Sequence, residues 1–215
     1  MRPLGKTPTR WSPKVAYAIG LIATDGCLSK DGRHIDFTSK DRELVETFKR
    51  CLGVTAKTGR KTSGYNGKKY FRVQFGDVLF YKWLLEIGLM AKKSTVLESL
   101  KVPEKYFPDF LRGNFDGDGT IYAYWDSRWR SSYMFYIAFA SASLPYLEWL
   151  RALTKRLIGI KGRIIPMSGV WGLRFAKQES LQLIRVMYYT GEVPHLLRKR
   201  RKIERILTTN GVRSR

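Results

Sequence analysis

The segments "YAIGLIATDGCL" (17–28) and "FLRGNFDGDGTI" (110–121) follow one pattern: an apolar run, a glycine, an Asp-Gly pair and a further apolar residue. Gly20 matches Gly113, and Asp25 matches Asp118, which stands 93 residues further along the chain. Because this spacing is close to half of the 215 residues, it indicates an internal duplication.

The segments that follow the two motifs repeat in the same order. Hydrophobic periods of 2 and 3.6 residues predict strand, helix, strand and helix after each motif. The predicted segments are 34–39, 41–54, 68–75 and 78–89 after the first motif, and 134–141, 144–160, 170–176 and 179–191 after the second. The basic stretches at 55–69 and 119–139 are predicted to be hairpin turns with further strands beside them. The sequence therefore predicts an α+β fold in which a unit of roughly α-β-β-α-β-β-α occurs twice.

Two prolines in "KVPEKYFPDF" (101–110) break regular structure at the seam between the halves. We therefore predict an N-terminal repeat at 1–100, a short linker at 101–107 and a C-terminal repeat at 108–215. Because this linker is short, we expect the two halves to pack as one body.

The charge of the chain is strongly positive, with 40 Lys and Arg against 18 Asp and Glu and a formal net charge of +22. Such an excess attracts polyanions and repels itself unless a partner neutralises it. We find no apolar stretch of the ~18 residues that span a membrane, and no signal peptide after "MRPLGKTPTR". We therefore expect an intracellular protein that binds nucleic acid and no membrane.

Cysteine and histidine do not suggest a metal site. Cys27 and Cys51 lack metal-type spacing, and we expect both to be small core residues. His34 and His195 have no acidic or cysteine companions at ligand spacing, so we expect no zinc site.

The strand at 68–75 has one apolar and one polar face. Alternation puts Phe71, Val73 and Phe75 on the first face and long polar side chains on the second. Basic ribbons at 55–69 and 119–139 have a composition suited to the major groove of duplex DNA. The predicted DNA contacts are Lys68, Tyr70, Arg72, Gln74, Arg60, Lys61, Arg128, Arg130, Tyr136, Arg163 and Arg174. Lysines that guard strand edges against aggregation, or aromatic side chains that stack on single strands, are the alternatives.

Small residues on the two motif helices indicate close helix packing. Ala16, Gly20 and Thr24 recur every four residues in the first helix, as Gly113 and Gly117 do in the second. Packing along these faces would bring two carboxylates together at helix C-termini, where the helix dipole and their mutual repulsion both disfavour them. Mg²⁺ would relieve this conflict and could support phosphodiester hydrolysis. The alternative is that Asp-Gly is only a turn after a helix.

"AIGLIATDG" (18–26) and "LRGNFDGDG" (111–119) resemble the two motifs of single-chain LAGLIDADG homing endonucleases, and the resemblance spans about residues 14–207. It implies a pseudo-twofold fold with the motif helices at the interface and two antiparallel sheets forming a DNA-binding saddle. It further implies an intron-encoded monomer that cuts both strands of a long asymmetric duplex and leaves short 3′ overhangs. The first motif departs from the family at Ala23, where an aspartate is usual; Asp116 is its counterpart, and this position is not the family's metal ligand.

The resemblance also implies a set of site residues. Asp25 and Asp118 would hold two or three Mg²⁺ ions between them, with the carbonyls of Thr24 and Gly117 as further ligands. Mn²⁺ would substitute, and Ca²⁺ would bind without cleavage. The other implied catalytic residues are Ser39, Lys40, Lys93 and Lys199, with Lys92 and Arg200 as alternatives to the two later lysines. The second half has Ser141 and Ala142 in place of Ser39 and Lys40, so its strand end lacks one polar residue.

Two other functions remain open from the sequence. An intron maturase would bind structured host intron RNA on the same fold. A non-enzymatic DNA-binding regulator is the other, although a pure binder has no use for two repelling carboxylates.

Overall fold

The computed structural model describes residues 5–62, 67–129 and 131–211. The first repeat contains α1 (Pro13–Asp25), β1 (Gly26–Leu28), β2 (His34–Ser39), α2 (Arg42–Leu52), β3 (Gly59–Thr62), β4 (Lys69–Gly76) and α3 (Val78–Glu86). After a short 3₁₀ turn (Glu104–Tyr106), the second repeat contains α4 (Phe107–Asp118), β5 (Gly119–Trp125), β6 (Tyr133–Ser141), α5 (Leu144–Ile158), β7 (Arg163–Met167), β8 (Val170–Phe175) and α6 (Lys177–Met187), and α7 (Leu197–Thr209) follows. The predicted duplicated α+β fold is confirmed.

Each repeat forms one four-stranded antiparallel sheet, in the orders β1-β2-β4-β3 and β5-β6-β8-β7. The two orders are equivalent, and so are the registers: Phe37 pairs with Val73 in the first sheet, and Phe139 pairs with Leu173 in the second. All four of these side chains are buried in the core. The alternation along each strand therefore points one face of each sheet at the helices and leaves the other face outward.

The central feature is the contact between α1 and α4. A Cβ atom on Gly113 would lie 2.0 Å from the carbonyl oxygen of Tyr17, and one on Gly20 would lie 2.2 Å from the carbonyl oxygen of Phe110. These glycines are required because the two backbones touch there, which confirms the predicted packing of the motif helices. Each helix ends on its aspartate, and the chain continues directly into a strand at Gly26 or Gly119.

A buried arginine ties α4 to the segment before α7. The Arg112 side chain is fully buried and donates to the carbonyl oxygens of Pro194 (2.8 Å) and Met187 (2.5 Å), and to Asp109 Oδ1 (2.5 Å). Because every charge-bearing nitrogen has a partner, the arginine can be buried without an unpaired charge.

A second polar anchor holds the N-terminal segment. The Asp77 carboxylate accepts hydrogen bonds from the backbone N–H groups of Lys6, Thr7 and Phe80, each at 2.9 Å, and so caps the N-terminus of α3. Burial alone would raise the pKa of Asp77, but these N–H groups outweigh it and lower the pKa.

Some sequence predictions are corrected by the structure. Cys51 is buried as predicted, but the prediction for Cys27 is wrong: its side chain is exposed because Gly26 and Leu28 occupy the inward positions of β1. After the last helix predicted from the sequence the chain forms a further helix, α7. No helix in the described part of the chain is long and apolar enough to cross a membrane. Residues 63–66 of the predicted basic turn, and Arg130, lie outside the described residues.

Candidate metal and nucleic-acid site

Two carboxylates meet where the central helices end. Asp25 is the last residue of α1 and Asp118 the last residue of α4, and both line one cavity of about 880 Å³. Desolvation by the surrounding protein raises the pKa of Asp25 to about 7, and the nearby charge of Asp118 contributes to this rise, while Lys199 and Lys93 oppose it. Desolvation likewise raises the pKa of Asp118. The structure thus brings the two predicted metal ligands into one site.

Two buried lysines contact the backbone at these helix ends. Lys93 Nζ donates to the carbonyl oxygens of Thr24 (3.2 Å) and Gly26 (2.6 Å). Lys199 Nζ lies 2.5 to 3.0 Å from four carbonyl oxygens, those of Phe115, Asp116, Gly117 and Gly119. The last carbonyls of a helix lack partners within the helix and carry the negative end of its dipole. The contacts of both lysines therefore indicate that they neutralise and position the helix ends.

The alternatives to these lysines point elsewhere. Lys92 has a left-handed backbone with φ of 57° and lines neither the cavity of the carboxylates nor the smaller one of about 260 Å³ in which Lys93 lies beside Asp118. Arg200 Nε donates to Glu204 Oε1 at 2.8 Å within α7. Of each pair of candidates, the structure therefore brings Lys93 and Lys199 to the site.

The donor set at the site is that of a hard divalent cation. Neither the Asp25 nor the Asp118 carboxylate accepts a hydrogen bond from a described residue, so both are available as ligands. The carbonyls of Thr24 and Gly117 already accept from lysines, but a carbonyl oxygen has a second lone pair. No cluster of three or more His, Cys, Asp or Glu occurs within the described ranges. Two carboxylates completed by phosphate oxygens and water fit Mg²⁺, which is bound in this way at many phosphate sites.

Asp116, the residue equivalent to Ala23 in the second repeat, has a structural role. Asp116 is buried and accepts hydrogen bonds through Oδ2 from Tyr17 Oη (2.7 Å) and from the Leu196 backbone N–H (2.8 Å), while Oδ1 has no partner among the described residues. Burial raises the pKa of Asp116 to about 6, and Tyr17 and Lys199 oppose the shift. Asp116 therefore joins α1, α4 and the segment before α7, and no local sequence signal indicates these partners.

The ends of the second strands flank the carboxylates. Ser39 and Lys40 line the 880 Å³ cavity together with the aspartates. Ser141 and Ala142 line a smaller cavity of about 260 Å³, which also reaches Asp118. Ser39 Oγ accepts from the Asp41 N–H (3.2 Å) just as Ser141 Oγ accepts from the Ser143 N–H (3.1 Å), so the two strand ends have the same backbone geometry.

The outward face of the first sheet carries most of its predicted DNA contacts. Tyr70, Arg72 and Gln74 alternate on β4 opposite the core residues, and Lys61 pairs with Tyr70 on the same face. Arg72 forms an ion pair with Asp36. Lys68 is exposed just before β4. Arg60, in contrast, pairs with Phe71 on the inward side, with its guanidinium 6.0 Å from the Phe71 ring, so the structure separates it from this face.

The outward face of the second sheet combines arginines with stacked tyrosines. Arg163 and Arg174 are directly opposite each other in the ladder, and the Arg174 guanidinium lies 5.1 Å from the centre of the Tyr136 ring. Tyr136 stacks between Tyr122 and Tyr124 at 5.4 and 6.1 Å. Arg128 lies beyond this ladder at the tip of the hairpin, where it is 81% exposed and pairs with Asp126.

The first helical turn of α7 also reaches the first repeat. Arg198 makes a two-pronged ion pair with Asp41, with nitrogen to oxygen distances of 2.8 to 3.0 Å. The Leu197 N–H donates to Glu43 Oε1 at 3.3 Å. Sequence reasoning missed this contact because its partners are more than 150 residues apart and carry no local signal.

Comparison with known proteins agrees with this architecture. Residues 12–88 match the model of the LAGLIDADG-like domain. The chain has the LAGLIDADG fold. The resemblance seen in the two motifs is thereby confirmed, and it extends over both repeats in solved structures.

The solved structures similar to this LAGLIDADG-fold protein include homing endonucleases and a DUF199/WhiA protein. The homing endonuclease I-WcaI bound to its DNA recognition sequence has a TM-score of 0.62 at 13% identity, covering 90% of this chain and 88% of that one. I-DmoI in complex with DNA and Mn has a TM-score of 0.52 at 14% identity, covering 84% and 98%. Full-length DUF199/WhiA from Thermatoga maritima has a TM-score of 0.59 at 16% identity, covering 96% of this chain and 64% of that one. At these identities the likeness establishes the fold.

A curated relative matches part of the chain. An A-type ATP synthase subunit of Methanopyrus kandleri is 32% identical over 112 residues, which are 50% of this chain and 10% of that protein. This LAGLIDADG-fold chain therefore spans only a small part of the curated relative's length.

Proposed function

We propose that this protein is a divalent-metal-dependent endonuclease that hydrolyses both strands of a long, asymmetric duplex DNA target. The observation that carries the proposal is the convergence of Asp25 and Asp118, one from each repeat, at the ends of two helices in backbone contact. A protein that only binds DNA gains nothing from two carboxylates whose pKa values are raised by their surroundings. A divalent cation shared between the repeats accounts for them.

Duplex DNA would lie across the outward faces of the two sheets. Tyr70, Arg72 and Gln74 on the first sheet, with Arg163 and Arg174 on the second, provide donors for phosphates and base edges. The net charge of +22 supports the same partner. The two faces carry different side chains, so a target without twofold symmetry suits them best.

The residues of the site have different roles in hydrolysis. A divalent ion held by Asp25 and Asp118 would supply an activated water and stabilise the leaving oxygen. Lys93 and Lys199 keep the two helix ends in place, so that the carboxylates stay in a fixed relation. Cationic side chains at the cavity wall hold the phosphate. The water gives up one proton to solvent as its oxygen forms a bond to phosphorus, one ester P–O bond breaks, and the leaving oxygen takes up one proton from solvent.

A second candidate is an RNA-binding maturase activity on the same surface. It is supported by aromatic side chains on the β5–β6 hairpin: Tyr124, Trp125 and Trp129 are 47%, 55% and 70% exposed. Exposed aromatic rings stack on unpaired bases. Both activities could share the sheets, but only the nuclease uses the carboxylate pair.

The test is selection of cleaved sites from a randomised duplex library with Mg²⁺, followed by cleavage assays on the selected target. We expect Mn²⁺ to replace Mg²⁺, Ca²⁺ to support binding without cleavage, and a chelator to abolish cleavage while binding persists. Asp25→Asn and Asp118→Asn should each behave like the chelator. Glu148→Gln, which makes the same change of charge at an exposed site on α5, is the matched control and should cleave normally. Bound sites without metal-dependent ends would show that the protein is not a nuclease.

A further inference from the structure

The two cavities beside the carboxylates are related by the duplication but are lined by different side chains. The first-repeat cavity, about 880 Å³, joins the strand ends of the first repeat to Lys199 of the second. The second-repeat cavity, about 260 Å³, joins the strand ends of the second repeat to Lys93 of the first. Each cavity therefore has one strand end, one buried lysine and access to Asp118, as expected for two sites that each receive one DNA strand.

The strand registers identify the equivalent residues. Ser39 pairs with Phe71 and Ser141 pairs with Trp171, so the neighbouring Tyr70 and Val170 are equivalent. The same ladders make Lys61 equivalent to Met167, since their preceding residues pair with Phe71 and Trp171. The residues just before and just after the two serines give two further equivalent pairs. The four equivalent pairs are Thr38 and Ala140, Lys40 and Ala142, Lys61 and Met167, and Tyr70 and Val170. Four polar residues on the first-repeat side have apolar equivalents on the second.

The first-repeat cavity is also lined by more basic side chains than the second-repeat cavity. Among the described residues, the first-repeat cavity is lined by Lys40, Lys61, Arg198, Lys199 and Lys202, whereas the second-repeat cavity has Lys93 as its basic side chain. Arg198 is engaged by Asp41, and both buried lysines are engaged by carbonyl oxygens. The remaining difference is three lysines, Lys40, Lys61 and Lys202, all exposed at the wall of the first-repeat cavity.

We propose that the two DNA strands are cut at unequal rates, the strand in the first-repeat cavity first, so that a nicked duplex accumulates. This inference rests on the proposed nuclease function. Negative charge on the phosphate oxygens grows as the water attacks, and a cation already in place stabilises it without reorganisation. Lys40, which follows Ser39 at the strand end, supplies such a charge on one side, while Ala142 supplies none on the other.

The same lysines have a consequence for binding that needs no metal. Each neutralised phosphate contributes about 0.9 to the slope of log affinity against log salt. With a chelator present, Lys40→Ala and Lys61→Ala should each lower this slope by about that amount, whereas Met167→Ala should leave it unchanged. Ethylation of the phosphate at the cleavage position should weaken binding more on the strand held by the first-repeat cavity.

Cleavage is followed on a selected target whose two strands carry different fluorophores, by denaturing electrophoresis over time. We expect the strand of the first-repeat cavity to be cut at least about tenfold faster, because one well-placed electrostatic contact contributes that much or more. Lys40→Ala should slow only this cut, and Ala142→Lys or Met167→Lys should speed only the other. Lys82→Ala, an exposed lysine on α3, removes the same charge elsewhere and should leave the ratio unchanged.

The outcomes separate the two proposals. Equal rates for the two strands in the unmodified protein, or a faster cut in the second-repeat cavity, overturn the inference and leave the nuclease function standing. A rate ratio that Lys40→Ala does not lower also overturns it, because the exposed lysine cannot then be the cause. Complete absence of metal-dependent cleavage overturns the proposed function and this inference with it.

Discussion

The close contact of α1 and α4 predicts a large effect for a single methyl group. In Gly113→Ala the new Cβ would lie 2.0 Å from the Tyr17 carbonyl oxygen and 2.9 Å from the Tyr17 carbonyl carbon. These are backbone atoms, so no rotamer change can relieve the overlap. The two groups must separate by roughly 1.5 Å to reach an ordinary contact of roughly 3.5 Å.

Two opposing effects determine how much Gly113→Ala changes the free energy of unfolding. Overpacking of a tight interior costs about 1–3 kcal/mol, and the upper value applies where only backbone can yield. Alanine regains about 1 kcal/mol because it is a better helix residue than glycine. We therefore expect Gly113→Ala to lower the free energy of unfolding by about 2 kcal/mol, or the melting temperature by about 4–8 °C in a chain of this length.

Gly117→Ala is the matched comparison. Its Cβ would lie 2.0 Å from Thr24 Oγ1, which is a side-chain atom. Thr24→Ala should rescue Gly117→Ala in part, because it removes Oγ1 but keeps the Thr24 Cβ atom at 2.8 Å, and Thr24→Gly should rescue it further. No side-chain truncation at Tyr17 should rescue Gly113→Ala. Urea unfolding followed by circular dichroism measures these variants. If Gly113→Ala is as stable as the unmodified protein, the two backbones are not in contact and do not hold Asp25 and Asp118 in position.

Three further predictions concern the polar anchors and the thiols. Asp77→Ala should cost about 1–2 kcal/mol at pH 7; since the folded pKa of Asp77 is lowered, the difference from the unmodified protein should hold above pH ~4 and vanish as pH falls through that pKa in urea titrations. Arg112→Met should cost about 3–5 kcal/mol by the same assay, because Asp109 loses its cation; a loss below about 1 kcal/mol would contradict the buried pairing. Iodoacetamide should modify Cys27 rapidly and Cys51 only on unfolding, since burial raises the pKa of the Cys51 thiol to about 11; mass spectrometry of both sites distinguishes them.

The parts of the fold that sequence predicts are those with local signals. Gly20 and Gly113 mark the helix contact, and the period of the apolar residues marks each strand and helix that follows. The helix α7 was missed as a helix because its first turns are almost wholly basic, and its buried residues Ile203, Ile206 and Leu207 come late. Cys27 was misplaced because β1 has only three residues, too few for an alternation to be recognised.

The site was predicted only in part, for a different physical reason. Asp25 and Asp118 could be paired because the duplication relates them. The partners of Lys199 could not be predicted, because its carbonyl acceptors are 80 to 84 residues away in the sequence. In addition, nothing in the local sequence distinguishes a buried lysine from a solvated one at the start of a basic helix. Long-range polar contacts depend on how the elements pack, which the local sequence does not determine.

The buried lysines also explain how the carboxylate pair can exist in a folded protein before any metal binds. Two helix C-termini and two carboxylates place negative potential in one small region, which by itself would favour separation of α1 and α4. Lys93 and Lys199 oppose the rise in pKa of both aspartates and donate to the last carbonyls of both helices. Glycine contact brings the helices together, and the lysines offset the electrostatic cost of that contact at the end where it is greatest. The exposed lysines of the first-repeat cavity donate to none of these helix-end carbonyls, so they remain available for the phosphate contacts that we propose.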